Sequence, residues 1–155
     1  SPYMGLDSTA PFLDNPGKWA IPLVLTSNKG SSDLQMKSSE GEFLFEKTAG
    51  LIQSNCTPEN TMIVVGATQG SHLKSLRKRL PDYYFLVPGV GAQGGDLKEV
   101  AKLTLNSECG ILVNVSRAIL YAGQEENYSD LSALKAKEYA QEMESLIALH
   151  EPNFF

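Results

Sequence analysis

A glycine-rich turn is the stretch of this chain best suited by its residue types and spacing to bind an anion. Residues 89–94 read "GVGAQG" and match the G-x-G-x-x-G spacing directly after a short apolar run. Such a turn lets backbone N–H groups approach a phosphate closely. The spacing alone is weak evidence, because a chain with 13 glycines among 155 residues produces chance matches.

A dinucleotide-binding turn would need two further features. The helix should begin at the glycines, and an acidic residue about 20 positions later should bind the ribose. Asp96 and Glu99 instead form a capping-box pattern, which predicts that the helix begins after Gly95. The next apolar run is followed by Ser116 and Arg117, so a cation stands where the acid is expected. Dinucleotide binding is therefore disfavoured.

The same stretch suits a phosphate site that is built from two consecutive loops. In (β/α)8 barrels, the loops after the last two strands and the N-terminus of a short extra helix commonly hold a substrate phosphate. The loop "PGVGAQGG" and the turn "SRAILY" supply both parts. Arg117 can form bidentate hydrogen bonds with phosphate oxygens, and Gln93 can donate a hydrogen bond to the phosphate from its amide. A surface arginine and an exposed loop glutamine are the structural alternatives.

Four short apolar runs, each followed by a turn and a helical pattern, must position these residues. The predicted strands cover residues 20–26, 61–67, 83–88 and 109–115. Their nearly unbroken hydrophobicity is typical of strands buried on both faces, and the alternation with helices indicates right-handed βαβ units. We therefore predict an α/β fold of four parallel strands in sequential order. Its helices should lie on one side, and all four strands should end at one site.

Helical patterns occupy the segments between the strands and the end of the chain. They cover residues 41–54, 71–80, 96–106, 117–122 and 129–150. The last of these helices has a predicted core-facing stripe that consists of Leu131, Leu134, Ala140, Met143 and Ile147.

Two polar segments are open to interpretation. The basic run at residues 74–79, "KSLRKR", is predicted to be the solvated face of a helix. The connection at residues 27–42 is longer than a connector needs. It is either a mobile loop that covers a ligand or simple surface variation.

Composition excludes several classes of function. A chain of 155 residues with 42% hydrophobic and 20% charged residues is typical of one soluble globular domain. The formal net charge of −5 argues against non-specific nucleic-acid binding. No apolar stretch approaches the roughly 18 residues of a membrane span. Cys56 and Cys109 have no metal-ligand spacing, so they indicate reduced thiols in a cytoplasmic protein without a metal site.

Taken in order, these motifs resemble the carboxyl-terminal half of the orotidine monophosphate decarboxylase family, in its longer bacterial branch. The similarity covers essentially the whole chain, and the last two motifs are the specific ones. "SPYMGLDSTAPFL" resembles the end of the family's fourth strand, "LVLTSNKGS" its fifth, "VVGAT" its sixth, "LVPGVGAQGGD" its seventh and "ILVNVSRAILYA" its eighth. The resemblance implies that residues 1–155 form a single segment, half of a (β/α)8 TIM barrel with a terminal helix.

The family's activity, which uses no cofactor, converts orotidine monophosphate to uridine monophosphate and carbon dioxide in pyrimidine biosynthesis. The residues that the resemblance implies for substrate binding are Ser27, Pro88, Gln93, Gly94, Gly95, Ser116 and Arg117. Ser27 would hydrogen-bond the pyrimidine ring, and Pro88 would pack beside it. Gln93 and Arg117 would bind the phosphate, aided by backbone N–H groups around Gly94, Gly95 and Ser116. Ser116 replaces the glycine that usually precedes the arginine, and its side chain narrows the room for the phosphate.

The family's catalytic lysines and aspartates, which include a D-x-K-x-x-D pattern after the third strand, are not found in this chain. Asp96 and Lys98 are the nearest substitute, but they lack the second aspartate and start a helix. We therefore expect the catalytic set to lie before residue 1 and the chain alone to be inactive. Its open sheet edges should be covered by a second copy, as in the dimeric family, or by a separate amino-terminal half.

Two other interpretations stay open at this point. One is a different enzyme on a phosphate-binding barrel, such as a sugar-phosphate aldolase or synthase, which would share Arg117 but would have no use for Ser27. The other is a non-catalytic α/β module that binds a nucleotide with an open four-stranded sheet. Titration with uridine monophosphate, ribose phosphate and NAD would separate the three.

Overall fold

The computed structural model describes residues 4–123 and 126–150. Helices and strands alternate along most of this length. In chain order the elements are a 3-10 turn (Leu6–Ser8), α1 (Ala10–Leu13), β1 (Leu23–Leu25), α2 (Ser31–Leu34), β2 (Ser38–Ser39), β3 (Glu42–Phe43), α3 (Leu44–Asn55), β4 (Met62–Val65), α4 (Gly70–Arg79), β5 (Tyr84–Pro88), α5 (Leu97–Thr104), β6 (Ile111–Asn114), α6 (Arg117–Leu120) and α7 (Tyr128–His150).

The main sheet contains β1, β4, β5 and β6 in that order, and every neighbouring pair is parallel. A doubly wound sheet would break the sequential order at a switch point. The short strands β2 and β3 form a separate antiparallel hairpin. The predicted α/β fold with four parallel strands in sequential order is therefore confirmed.

Burial alternates along β4, β5 and β6, although the sequence of each strand is almost wholly apolar. In β1, whose register with β4 is irregular, the adjacent residues Val24 and Leu25 are both buried. Ile63, Phe85 and Val87 are fully buried in one cluster with side chains of α3, α4 and α5, which therefore lie on one side of the sheet. On the opposite face, Leu23 and Leu112 are 42% and 54% exposed. The prediction of burial on both faces is wrong, because no second layer of the described residues covers that face. An apolar open face is what half of a closed barrel presents.

The basic run on α4 contains a buried cation. Arg77 is only 9% exposed, and its guanidinium lies 3.8 Å above the ring of Phe85. It donates hydrogen bonds of 2.7 to 3.1 Å to the carbonyl oxygens of Thr104, Leu80, Pro81, Tyr83 and Gly110. Burial lowers the pKa of Arg77 to about 10, so the side chain remains charged at neutral pH. The predicted solvated face is correct for Lys74 and Lys78 but wrong for Arg77.

The terminal helix packs on the core through a narrower stripe than the one predicted from its sequence. Its core-facing residues are Tyr139, Met143, Leu146 and Ile147. Leu134 is 55% exposed and Ala140 is also exposed, so both were assigned wrongly to the stripe. Leu134 lies five positions before Tyr139, which places it on another face of a helix with 3.6 residues per turn.

The long connection at residues 27–42 contains regular local structure. It holds α2, all of β2 and the start of the hairpin's second strand. Glu42 at the hairpin forms an ion pair of 2.6 Å with Arg79 at the end of α4. Lys47 of α3 likewise pairs with Glu40 of the hairpin turn at 3.1 Å. Ion pairs therefore connect this segment to α3 and α4.

Several remaining predictions concern the ends and the surface of the chain. The expected end of a preceding strand falls partly on residues 1–3, which lie outside the described residues. Cys56 and Cys109 are both free thiols, as predicted. No helix in the described part of the chain is both long and apolar enough to cross a membrane. Among the same residues, no group of three His, Cys, Asp or Glu side chains is placed to hold a metal ion.

Candidate active site

The carboxyl ends of the four parallel strands meet at one edge of the sheet, so the loops that follow them share one surface. Backbone hydrogen bonds connect these loops directly. The N–H of Gly66, after β4, donates to the carbonyl of Leu25 in β1 at 2.8 Å. The N–H of Ala67 donates to the carbonyl of Pro88 in β5 at 2.8 Å. The first three loops are therefore held in contact at their bases.

Two of the residues predicted to bind substrate contact each other across this surface. Ser27 Oγ donates a hydrogen bond of 2.7 Å to Gln93 Oε1, although 66 positions separate the two residues. Because the amide oxygen of Gln93 is the acceptor, its NH2 group remains available to donate. Ser27 Oγ keeps its lone pairs as acceptors. The predicted base-binding and phosphate-binding residues thus form one polar pair.

The glycine loop between β5 and α5 is closed by its own backbone. Gly94 N–H donates to the carbonyl of Gly91 at 2.8 Å, and Gly95 N–H donates to the carbonyl of Gly89 at 3.1 Å. A Cβ at Gly95 would overlap the Cβ of Ala67 and lie 2.7 Å from the Gly89 oxygen. Gly95 therefore permits a close approach of loops, and the N–H groups of Gly94 and Gly95 bind within the loop.

The end of this loop leads into α5 through the predicted cap. Asp96 is the N-cap residue, and its side chain accepts a hydrogen bond of 3.0 Å from the N–H of Glu99. The helix therefore begins at Leu97, after the glycines, as the capping-box pattern predicted. This late start separates the loop from a dinucleotide-binding turn, in which the glycines open the helix.

Arg117 is the first residue of α6 and is exposed at the same edge of the sheet. Its guanidinium forms no hydrogen bond or ion pair with any residue that the structure describes. The preceding Ser116 is also exposed, and its Oγ donates to Asn114 Oδ1 at 3.0 Å. A Cβ at Gly91 would lie 3.1 Å from the Cβ of Ala118, so the glycine loop packs against the first turn of α6. Arg117 thus has a free cationic group beside that loop.

Pro88 is the last residue of β5 and lies on the open face of the sheet. Burial alternates along this strand, so Pro88 shares the half-buried face with Tyr84 and Leu86. It is paired with Asn114 of β6 across the sheet. The proline ring is therefore presented at the edge where the strands end, on the face opposite the helices.

The predicted set omitted the side chains that hold Ser27 in place. Thr68 Oγ1 donates to the carbonyl of Ser27 at 3.2 Å, and the amide of Gln69 donates to the carbonyl of Thr26. Both residues directly follow β4 in the loop "GATQG". Their position after a predicted strand was the signal that sequence reasoning could have used.

Gly66 lies where two loops approach most closely, and Gly66→Ala is expected to displace Ser27. An added Cβ would overlap the backbone nitrogen of Ser27 and lie 2.7 Å from its Cα. Because backbone cannot move aside cheaply, the free energy of unfolding should fall by about 1 to 3 kcal/mol. Denaturant unfolding measures the change.

Gly30→Ala provides the matched control for that substitution. The nearest atom to its added Cβ would be the side-chain nitrogen of Asn28 at 3.1 Å, which can rotate away. Equal losses of stability for Gly66→Ala and Gly30→Ala would contradict the close approach at Gly66.

The strand order, the one-sided helices and the loops at the strand ends define the class of this protein: it is one half of a (β/α)8 barrel. Among known proteins, the chain is homologous to the carboxyl-terminal half of orotidine 5'-phosphate decarboxylases. The enzyme of that name from Phocaeicola vulgatus is 49% identical over 148 residues, which are 95% of this chain and 54% of the relative. The one from Parabacteroides distasonis is 50% identical over 144 residues, 92% of this chain and 51% of the relative.

Solved structures give the same relationship. The UMP synthase of Leishmania donovani superposes with a TM-score of 0.82 at 39% identity, covering 94% of this chain and 32% of that chain. The OMP decarboxylase of Leishmania donovani gives a TM-score of 0.76 at 36% identity, covering 94% of this chain and 54% of that chain. No protein-family profile matches the sequence. The chain spans about half the length of the curated relatives it matches.

Proposed function

We propose that this chain is the substrate-binding half of an orotidine 5'-phosphate decarboxylase. Its substrate would be orotidine monophosphate, and the products would be uridine monophosphate and carbon dioxide in pyrimidine biosynthesis. The observation that carries the proposal is the 2.7 Å bond between Ser27 and Gln93, which joins two loops at the strand ends. The sequence also supports the assignment, because the chain is 49% identical over 95% of its length to an enzyme of this name.

We assign the phosphate of the nucleotide to Arg117 and Gln93. The guanidinium of Arg117 and the NH2 group of Gln93 are both unpaired among the described residues, so both remain free to donate. The N–H groups at the start of α6, including that of Ser116, complete the donor set. Gly94 and Gly95 shape the loop that carries Gln93.

The base end of the nucleotide is assigned to Ser27 and Pro88. Ser27 Oγ donates to Gln93, so toward the pyrimidine ring it presents its lone pairs. Pro88 offers an apolar surface on the open face of the sheet. This arrangement orients a pyrimidine nucleotide with its phosphate toward α6 and its ring toward β1 and β5.

The reaction itself needs groups beyond this binding set. Loss of carbon dioxide breaks a C–C bond and leaves its electron pair on a ring carbon in the plane of the pyrimidine. A cation such as a lysine ammonium must stabilise that pair electrostatically and then donate the proton that forms the new C–H bond. Tight binding of the remote phosphate supplies energy that orders the reacting end, so Arg117 should influence turnover as well as affinity.

We propose that the remaining half of the barrel covers the open face of the sheet and supplies the catalytic lysine and aspartates. Leu23 on β1 and Leu112 on β6 are 42% and 54% exposed and mark the two open edges. A homodimer is the further assembly that we expect from the resemblance. We also propose a cytoplasmic location, with which the two free thiols agree.

Reconstitution tests the proposed function. The 155-residue chain is combined with the amino-terminal half of the Phocaeicola vulgatus relative, and this pair is called the reconstituted barrel. We expect the pair to convert orotidine monophosphate to uridine monophosphate, because each half supplies what the other lacks. Neither half should do so alone. Product formation is followed by chromatography.

Three outcomes would contradict the proposal. Turnover by the 155-residue chain alone would show that the catalytic groups lie within it. An assembled barrel that binds ribose 5-phosphate as tightly as uridine monophosphate, without turnover of orotidine monophosphate, would indicate a different phosphate-binding barrel enzyme. Preferential binding of NAD would indicate a dinucleotide-binding module instead.

A further inference from the structure

We propose that Gln35 and Gln69 are positioning residues that place Ser27 for nucleotide binding by holding both backbone groups of Thr26. The inference rests on the proposed function and extends it to two residues outside the predicted binding set. Both glutamines lie in loops at the carboxyl ends of strands, Gln35 after α2 and Gln69 before α4. They belong to different segments of the chain, and each forms a hydrogen bond with one backbone group of Thr26.

Gln35 holds the amino side of Thr26. Its Oε1 accepts a hydrogen bond of 2.8 Å from the N–H of Thr26, and its Nε2 donates one of 2.9 Å to Thr26 Oγ1. The carbonyl of Gln35 in turn accepts the N–H of Phe45 at 3.0 Å, which anchors Gln35 to the first turn of α3. The contacts with Thr26 are partly buried, so water competes weakly for them.

Gln69 holds the carboxyl side of Thr26. Its Nε2 donates to the carbonyl oxygen of Thr26, 43 positions earlier in the chain, in a partly buried contact. The neighbouring Thr68 donates to the carbonyl of Ser27 at 3.2 Å. Gln69 is also the N-cap residue of α4, so its backbone is fixed by the helix it precedes.

The planarity of the peptide bond connects these contacts to Ser27. The carbonyl of Thr26 belongs to the same rigid peptide unit as the nitrogen of Ser27, so holding the first orients the second. Ser27 Oγ then reaches Gln93 Oε1 at 2.7 Å. Gln69 therefore orients Ser27 through this peptide unit, whereas Gln35 acts one residue earlier by holding the nitrogen of Thr26.

The two glutamines use opposite ends of their amide groups on the backbone of Thr26. Gln35 accepts from the Thr26 N–H with its oxygen, whereas Gln69 donates to the Thr26 carbonyl with its nitrogen. Gln35 also donates to the Thr26 hydroxyl, but that hydroxyl can donate in turn to an oxygen at position 35. A glutamate keeps two acceptor oxygens but has no donor when it is ionised. The same substitution should therefore be tolerated at position 35 and harmful at position 69.

The test measures the dissociation constant of uridine monophosphate with the reconstituted barrel and its variants. Gln69→Glu is expected to weaken binding by about tenfold or more, because a carboxylate would face the Thr26 carbonyl without a proton to donate. Gln35→Glu should stay within about twofold of the parent, and Gln35→Ala should weaken binding by about fivefold. Comparable affinities for Gln69→Glu and Gln35→Glu would overturn the proposal.

Gln53→Glu is the matched control. Gln53 Nε2 donates to the carbonyl of Arg79 at 3.0 Å in an exposed contact on α3. The substitution removes the same kind of donor without touching the loops at the strand ends. Its affinity for uridine monophosphate should equal that of the parent, and a loss as large as that of Gln69→Glu would overturn the proposal.

A double-mutant cycle separates positioning from general destabilisation. In a Ser27→Ala background, Gln69→Glu should cause less than about a twofold further loss of affinity, because the residue it positions is gone. A full additional loss would overturn the inference. Failure of the parental barrel to bind uridine monophosphate would instead overturn the proposed function.

Amide exchange tests the inference independently of nucleotide binding. The Thr26 N–H should exchange with solvent at least about tenfold faster in Gln35→Ala than in Gln35→Glu, because only the glutamate retains an acceptor. Equal exchange rates in the two variants would overturn the proposed role of Gln35.

Discussion

Replacing Arg117 by alanine is expected to weaken binding of uridine monophosphate to the reconstituted barrel by about 2 to 5 kcal/mol, if the bound phosphate buries its contact with the guanidinium. The guanidinium has no hydrogen bond or ion pair with any described residue, so its donors are available to the phosphate. Arg117→Lys keeps the charge but cannot form bidentate hydrogen bonds with the phosphate, so it should recover only part of the affinity. Isothermal titration calorimetry measures both.

Two controls decide whether this effect belongs to the phosphate contact. Lys98→Ala removes an exposed cation from the first turn of α5, which follows the glycine loop, and should leave the affinity for uridine monophosphate nearly unchanged. Uridine lacks the phosphate, so its weaker binding should not respond to Arg117→Ala. An unchanged affinity for uridine monophosphate in Arg117→Ala would remove Arg117 from the site.

Arg77→Ala is expected to cause the largest loss of stability, about 3 to 5 kcal/mol in the free energy of unfolding of the reconstituted barrel. The substitution would remove one donor from five backbone carbonyls and open a cavity over the ring of Phe85. The carbonyls of Pro81 and Gly110 would keep a second donor, whereas no other donor to the carbonyls of Leu80, Tyr83 and Thr104 is found among the described residues. Buried carbonyls that lose their hydrogen bonds are costly because water cannot replace the donor. Denaturant unfolding measures the loss.

Variants at and beside this position test the explanation. Lys78→Ala removes the adjacent exposed cation of α4 and should change stability by less than about 0.5 kcal/mol. Arg77→Lys retains a charge but offers three donors in place of five, so it should recover only part of the loss. Similar stabilities for Arg77→Ala and Lys78→Ala would contradict a structural role for the buried guanidinium.

The sequence by itself determined the class of fold and the location of the candidate site. Four apolar runs separated by helical patterns specify parallel strands in sequential order, since a parallel connection needs a crossover helix. Asp96 and Glu99 marked the start of α5, because a helix must satisfy its first N–H groups locally. The motifs around Gln93 and Arg117 also pointed to the half of the barrel later found in the relatives.

Only the tertiary structure decided how individual side chains are used. Arg77 lies in a basic run that predicts exposure, yet carbonyls as far away as Thr104 and Gly110 converge on it. Ser27 and Gln93 are 66 positions apart, and the Gln69 amide reaches Thr26 across 43 positions. Local patterns encode periodicity and caps within a few residues, whereas these contacts depend on which loops the parallel strand order brings together.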